Sequence, residues 1–456
     1  MHRFLVSAAH KSSGKTSVSV GLAAELTRRG LAVQTFKKGP DYIDPMWHTA
    51  ATGRASRNLD FNLSTPRELQ QEFARHGAGA DVCLVEGNKG LYDGLDLDGS
   101  NSNAALAKLL GAPVVLVIDA RGMTRGVAPL ILGYQAFDPD IRIAGVILNN
   151  LGGSRHESKL RAVIEHYTDV EVIGAVQHDT GMQIAERHLG LVPANEQQAA
   201  LARIRHVAER VAAQVDLDRL LAIADSAPAR EAPADPIPLA TGERVRVAIA
   251  HDPAFGFYYS EDLDSLRASN VELVDLDTLH ATTLPEVDGL IIGGGFPEVF
   301  MAELEANVLL RSRIRSAIEA GLPTYAECGG LMYLSRRLDW QGRTCEMVGA
   351  VPGDTVMHER PVGRGYARLQ PTGDDRWQET APIPAHEFHY SSLENLPADS
   401  IYAYQVKRGH GIDGVHDGYQ RHNLLAGYVH RRGAGAQGWI APFLNQVRAH
   451  KARTAP

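Results

Sequence analysis

Short, largely apolar and β-branched runs recur through the first 195 residues, separated by stretches whose apolar residues fall three and four apart. The runs are Arg3 to Ser7, Ala32 to Phe36, Val82 to Val85, Val114 to Ile118, Ala144 to Leu148 and Glu171 to Val176. Continuous rather than alternating apolar character marks strands buried on both faces, so the pattern predicts a parallel sheet covered by helices, with ligands at the carboxyl ends of its strands. Residues 196–224 keep helical spacing and predict one helix packed on this sheet. The pattern then stops: Pro228, Pro233, Pro236 and Pro238 stand among alanines and exclude a regular element, so 225–242 reads as a linker. It resumes with strands at Arg244 to Ala250, Val271 to Val274 and Gly289 to Ile292, then a strand, sharp turn and helix from Pro323 to Leu334. Two α/β domains are expected, 1–224 and 243–456.

Composition narrows the class. The 456 residues carry a formal net charge of −8, which argues against a nucleic-acid partner, whose phosphates call for a basic excess. Three cysteines, Cys83, Cys328 and Cys345, cannot all pair and form no disulfide framework. Met1-His2-Arg3 leads straight into a strand, and no apolar run approaches the roughly 20 residues of a membrane helix. A cytoplasmic protein with no membrane partner is expected, and a homodimer is compatible with this composition.

Chemistry enters first after the first strand. Ala9-His10-Lys11-Ser12-Ser13-Gly14-Lys15-Thr16 joins strand to helix and reads as a phosphate loop, although Ala9 stands where the usual pattern has glycine. Ser12, Ser13, Gly14 and Lys15 are the expected ATP contacts, with Thr16 a ligand of Mg²⁺. Gly39-Pro40 and Asp44-Pro45 predict a turn that holds Asp41, Tyr42 and Asp44 on a loop above the sheet. After the third strand come Glu86 and Asp93, in Glu86-Gly87-Asn88-Lys89-Gly90-Leu91-Tyr92-Asp93. Carboxylates beside a triphosphate need a cation between, so Asp41, Asp44 and Glu86 are expected as Mg²⁺ ligands or water-mediated supports, against the alternative that they cap loops and helices. No guanine-specifying motif follows the fifth strand, which favours ATP and makes Asn149 a candidate contact to the base. His156 is expected on a helix surface.

The second site centres on Cys328, at the turn of Tyr325-Ala326-Glu327-Cys328-Gly329-Gly330. An elbow exposes the thiol, and the following helix N-terminus stabilises its thiolate, which suits a nucleophile. Gly329 and Gly330 leave room for backbone N–H groups to point at an oxyanion. Cys83 and Cys345 read as structural. A base is needed, and His430 is preferred because it ends an apolar strand; His386 and His389 are the other candidates.

These motifs resemble a known family. Gly293-Gly294-Gly295-Phe296-Pro297-Glu298, the Tyr325 to Leu334 stretch, His386-Glu387-Phe388-His389-Tyr390-Ser391 and Gly427-Tyr428-Val429-His430 resemble the class I glutamine amidotransferase domain of the cobyrinic acid amidases. Phe36 to Pro45 and Val85 to Gly94 resemble their synthetase domain, and the ordered set is similar to the cobyrinate a,c-diamide synthase family over nearly the whole chain. The resemblance implies a P-loop doubly wound parallel sheet of the dethiobiotin-synthetase kind, followed by a flavodoxin-like amidotransferase domain. It implies ATP and Mg²⁺, glutamine as nitrogen donor and a tetrapyrrole carboxylate as acceptor. It also implies roles: Cys328 as nucleophile with His430, Gly294, Gly295 and Gly329 around the oxyanion, and Asp41, Tyr42, Asp44, Glu86 and Asp93 in the synthetase site. The basic pair His10-Lys11, Lys38, and Arg431-Arg432 after His430 depart from the corrin amidases. The first of these, with Lys37-Lys38-Gly39-Pro40, is similar to a subgroup linked to dissimilatory sulfur metabolism, which implies sirohaem as the alternative acceptor. A nucleotide switch fused to an inactive glutaminase-like domain is the rival from another class.

Overall fold

The computed structural model describes residues 1–184, 186–187, 190–194, 200–229, 242–373, 379, 381–435 and 438–454. The chain divides into two compact units, Met1–Asp235 and Pro236–Pro456. Most of the stretch expected as a linker, 230–241, lies outside the described residues, and its first residue, Asp225, instead closes a helix.

In the first unit seven strands, β1 (Arg3–Ala8), β2 (Val33–Lys38), β3 (Arg57–Leu59), β4 (Val82–Glu86), β5 (Val114–Asp119), β6 (Ile143–Leu151) and β7 (Val172–Gln177), form one sheet in the order β3-β2-β4-β1-β5-β6-β7. Every neighbouring pair is parallel. The helices are α1 (Lys15–Arg28), α2 (Ile43–Thr52), α3 (Pro66–Gly77), α4 (Asn103–Leu110), α5 (Val127–Phe137), α6 (Ser154–Tyr167), α7 (Ala200–Ala212) and α8 (Leu217–Asp225). Because strand side chains alternate, Leu5 enters the core on one side of the sheet and Phe4 and Val6 the core on the other. Connections leave the adjacent strands β1 and β4 in opposite directions, to β2 and to β5, so a crevice opens at their carboxyl ends. A short pair, β8 (Glu186–Arg187) with β9 (Gly190–Leu191), follows.

Three elements differ from the sequence pattern. Strand β2 runs two residues past Phe36 and carries Lys37 and Lys38 inside, 3 % and 7 % exposed, because local partners receive their ammonium groups. Asp44 lies in the first turn of α2 rather than on a loop; Pro45 is tolerated there because first-turn N–H groups need no intrahelical acceptor. The single helix expected over 196–224 is two, since Asp216 accepts the N–H of Arg219 and caps α8, while Val215 bridges to Gly174. Residues 196–199 of that expectation lie outside the described residues. Helix α7 packs on α1 at Gly21, where any Cβ would collide with Val207 and Val211.

The second unit holds a ten-stranded sheet. Its parallel part comprises β10 (Val245–Ala250), β12 (Val271–Leu276), β13 (Gly289–Ile292), β15 (Thr324–Glu327) and β24 (Leu424–Gly427). It continues antiparallel through β23 (His416–Arg421), β22 (Ile401–Arg408), β19 (Gly363–Pro371), β20 (Ile383–His389) and β25 (His430–Arg431). A pair of short strands, β11 (Phe255–Phe257) and β14 (Gly294–Gly295), and a four-stranded sheet of β16 (Arg337–Trp340), β17 (Arg343–Glu346), β18 (Asp354–Met357) and β21 (Ser391–Glu394) flank it. Helices α9 (Ser260–Ala268), α10 (Met301–Ala306), α11 (Val308–Glu319), α12 (Gly329–Leu334) and α13 (Ile440–Thr454) complete the unit. The elbow between β15 and α12 tolerates no side chain at its third position, because a Cβ on Gly330 would drive into the Ile292 carbonyl. Gly330→Ala is therefore expected to lower the unfolding free energy by about 1–3 kcal/mol, read as an earlier urea midpoint. Among the described residues no helix is long and apolar enough to cross a membrane.

Candidate functional site

The loop after β1 has the backbone of an anion nest. Ser12 (φ 64) and Gly14 (φ 83) are both left-handed, and α1 begins at Lys15, so consecutive N–H groups turn inward. Ser13 Oγ donates to the His10 carbonyl at 2.8 Å and fixes the curve. Lys15 is buried, yet no acid pairs with it among the described residues. Burial, with Lys37 nearby, pushes its ammonium down to about 8. A buried cation lacking a counter-ion is what a phosphate site requires before its ligand arrives.

Beneath the loop a compact charged cluster is assembled from four elements. Thr16 Oγ1 lies 2.7 Å from Glu86 Oε1 and 3.2 Å from Asp44 Oδ2. Lys37 Nζ sits between the same carboxylates, 2.5 Å from Asp44 and 2.9 Å from Glu86. His48, fully buried on α2, holds the other Glu86 oxygen at 2.6 Å. Burial opposes both charges, but Asp44 and Glu86 hold Lys37 above its usual range, and Lys37 with His48 holds Glu86 well below the carboxylate range. A hydroxyl and two carboxylates around a stand-in cation are a hard, oxygen-rich donor set, and these residues fit Mg²⁺.

The structure brings Asp44, not Asp41, onto Thr16. Asp41 Oδ1 instead accepts the N–H groups of Ile43 and Asp44 at the start of α2, and burial beside Asp44 pushes its carboxyl up to about 7. Asp41, expected as a Mg²⁺ ligand or water-mediated support, thus lies at the start of α2, while Asp44 is the carboxylate that lies on Thr16. Tyr42 is buried at the N-terminus of α2. Asp93 caps its own loop through the Gly90 N–H at 2.8 Å, and its charge acts on Lys15. Asn149 does not reach outward for a base: its buried Nδ2 donates to the Ser13 carbonyl at 2.9 Å, locking the phosphate loop to the end of β6. His156 is not simply on a surface either, since it receives the Gly152 N–H and lies 2.8 Å from the Met123 carbonyl.

In the second unit Cys328 sits at the elbow with φ 48 and ψ −103, a strained backbone for a residue with a side chain, and is 7 % exposed. His430 is on β25, directly opposite His386 of β20, and its side chain is hydrogen-bonded to Cys328. His430 Nδ1 lies 3.2 Å from Glu327 Oε2, which leaves Nε2 for the sulfur. Burial works against the His430 charge, but Cys328 and Glu327 outweigh it and raise the imidazole to about 10. Glu327 is itself held: Oε1 takes the Tyr325 hydroxyl at 2.5 Å and the Arg431 N–H at 3.0 Å. Gly294 faces the His430 ring, and Gly329 lies so near the Gly295 N–H that a Cβ would come within 2.9 Å of it. Of the three expected glycines, Gly294 thus lies against the His430 ring, and Gly295 and Gly329 lie against each other at the elbow.

The other histidines separate. His386 stacks on His430 at 5.0 Å, and burial next to that ring holds it neutral. His389 points elsewhere, stacked on Tyr428 at 4.1 Å with Nδ1 2.8 Å from the Ser391 carbonyl. Cys83 is buried in β4, where burial pushes its thiol up to about 12, and Cys345 is buried on β17. Sequence reasoning missed Lys37, His48 and Glu327. Lys37 stood in a run read as a loop, and His48 had no motif. Glu327 was printed beside the nucleophile, but a strand side chain adjacent in sequence ordinarily points to the opposite face. The positive φ at Cys328 lets the two cooperate.

An elbow cysteine paired to histidine and acid, carried in one chain with a phosphate loop over an acidic cluster, defines a glutamine-dependent carbon–nitrogen ligase. Residues 246–435 match the model of the CobB/CobQ-like glutamine amidotransferase domain, and residues 2–184 match an AAA domain. The chain is 49 % identical to a cobyrinate a,c-diamide synthase of Magnetococcus marinus, over 97 % of this chain and 96 % of that protein. It is 42 % identical to one from Methanosarcina acetivorans (100 % and 97 %) and 39 % identical to one from Listeria innocua (94 % and 96 %). The chain belongs to the cobyrinate a,c-diamide synthase family.

Proposed function

We propose that the chain uses ATP and glutamine to amidate the a- and c-acetate carboxylates of cobyrinate. The observation that carries this reading is the Cys328–His430–Glu327 arrangement, because a nucleotide switch has no use for a thiol paired to an oriented base. Cys328 sulfur attacks the glutamine carboxamide carbon, its proton residing on His430. The N–H groups at Gly295 and Gly329 receive the oxyanion, and His430 protonates the departing nitrogen, which leaves as ammonia. Water then hydrolyses the thioester to glutamate and frees the thiol.

In the first unit Ser12 to Lys15 cradle the ATP phosphates, and Thr16, Asp44 and Glu86 would hold Mg²⁺, which would neutralise charge on the transferred phosphoryl group. The acceptor carboxylate attacks the γ-phosphorus, ADP leaves, and the resulting acyl phosphate is open to ammonia, which displaces phosphate to give the amide. A carboxylate without this activation is too poor an electrophile. Asp41 and Asp93 act here as supports, Asp41 through the backbone of α2 and Asp93 through the loop that carries it.

Glu327→Gln tests the orienting acid. Removing its charge lowers the His430 imidazolium from its raised value near 10, so the alkaline limb of glutaminase kcat/KM against pH moves to lower pH, with kcat down by about 10²-fold. Ammonia-driven amidation is unchanged.

Sirohaem is the second acceptor, suggested by the departure of His10-Lys11 and Lys38 from the corrin amidases. Mass spectrometry of products from ATP, glutamine and either cobyrinate or sirohaem decides: each amidation replaces OH by NH₂ and lowers the mass by about 1 unit, as the reaction class demands. No amide from either acceptor overturns the reading.

A further inference from the structure

Lys38 is the last residue of β2 and is 7 % exposed. Its Nζ has one partner, Asn88 Oδ1 at 3.1 Å, and among the described residues it enters no ion pair. The acid that acts on it at longer range is Asp60, whose Oδ1 already accepts the Asn62 N–H, while Lys37 and Lys89 add positive charge. Burial accordingly pushes the Lys38 ammonium down to about 8. An ammonium has three donors, and taking a cation out of water for a single neutral acceptor is costly unless an anion completes the site.

The surroundings form a cradle. Asn88 is fixed from below, its N–H donating to Asn103 Oδ1 at 3.1 Å and its carbonyl accepting from Asn103 Nδ2 at 2.5 Å. Its amide nitrogen lies where a Cβ on Gly39 would come within 3.0 Å, and Gly39 has φ +91, so glycine is required for the close approach. Lys37, one residue earlier, is fully committed to Asp44 and Glu86. Lys38 is thus left with open donor capacity at the carboxyl end of the sheet.

Position says which anion. In the order β2-β4-β1, two strand spacings of roughly 4.8 Å separate β2 from the strand that carries the phosphate loop. The Thr16–Asp44–Glu86 cluster is assembled from α1, α2 and β4 and is also entered by Lys37 of β2. Lys38 shares the Phe36 face of β2, opposite to the face from which Lys37 enters that cluster, so an anion on Lys38 is held on the other side of β2 from the Thr16 cluster. We infer that Lys38 and Asn88 form a carboxylate subsite that grips a second, non-reacting carboxylate of the acceptor and so selects polycarboxylate substrates. This rests on the amidation reading above, in which the acceptor carries at least two acetate groups.

Full-length Lys38→Met and Lys38→Arg test it, assayed with cobyrinate and with sirohaem. The expected result for Lys38→Met is an acceptor KM raised by about tenfold or more, the worth of one charge-assisted hydrogen bond, with the KM values for ATP and glutamine and the glutaminase rate unchanged. Lys38→Arg restores the acceptor KM to within about threefold, because it keeps the charge. Calorimetric titration of each acceptor into the protein shows the same loss of affinity in Lys38→Met, together with a weaker dependence on salt. An unchanged acceptor KM and affinity overturns the inference and leaves the amidation reading standing. So does a parallel rise in the KM for ATP, or an arginine variant as defective as the methionine one, either of which makes Lys38 a support for loop or nucleotide. Wild-type protein that amidates neither acceptor overturns the amidation reading itself, and this inference with it.

Discussion

Cys328→Ala is expected to lower glutamine-dependent amidation and glutamine hydrolysis by about 10⁴-fold or more, the scale on which removal of a covalent nucleophile acts. Ammonium at alkaline pH restores amidation, because the synthetase half needs only the nitrogen. The variant folds normally: Cys328 adopts a left-handed backbone, φ 48, which alanine tolerates no worse than cysteine, and the helix that follows is held by its own buried residues. Its glutamine affinity persists, since binding and hydrolysis are separable when only the sulfur is lost. Measured together, glutamate release, amide formation with glutamine and amide formation with ammonium identify the residue's place in the sequence of steps. Equal loss of the ammonium-driven reaction would instead make Cys328 structural.

Lys15→Ala is expected to lower ATP-dependent amidation by about 10³-fold, with both nitrogen sources equally affected and basal glutaminase unchanged. Its effect on stability has the opposite sign to that of most buried substitutions. The folded-state ammonium titrates near 8 against an ordinary value of 10.5 because burial disfavours its charge. Between those two values the unfolded chain binds more protons, so the stability of the ligand-free protein rises with pH through that window on account of this group. The alanine variant therefore unfolds at a temperature equal to or above wild type at pH 7 without nucleotide, and it loses the stabilisation that ATP and Mg²⁺ give wild type. A thermal scan with and without nucleotide reads both.

The two sites differ in how far their residues could be read from the chain. Lys15, Thr16 and Cys328 were legible because backbone geometry and chemistry coincide there: a strand ends, a helix begins, and the reactive residue sits at the junction. Asp44 and Asp41 were visible as a pair, but which of them meets Thr16 was not, since that depends on which carboxylate the first turn of α2 consumes as a cap. Asn149 was found at the right strand end, and its amide turned out to face inward, to the Ser13 carbonyl. Lys37 was hidden by its charge. Two consecutive lysines suggest solvent, and only the presence of Asp44 and Glu86 at 2.5 and 2.9 Å makes burial of the first of them favourable.

By itself the sequence determined the parallel first sheet, the phosphate loop, the elbow cysteine and the break between two α/β patterns, because each rests on local periodicity or on residues a few positions apart. The tertiary structure alone decided which side chains complete each site. His430 reaches Cys328 from a strand about a hundred residues away, and Glu327 can orient it only because the chain turns sharply at the nucleophile. Glu86 meets Thr16 across 70 residues of sequence. Such contacts depend on strand order and on the few ångströms between neighbouring strands, quantities that hydrophobic periodicity does not encode.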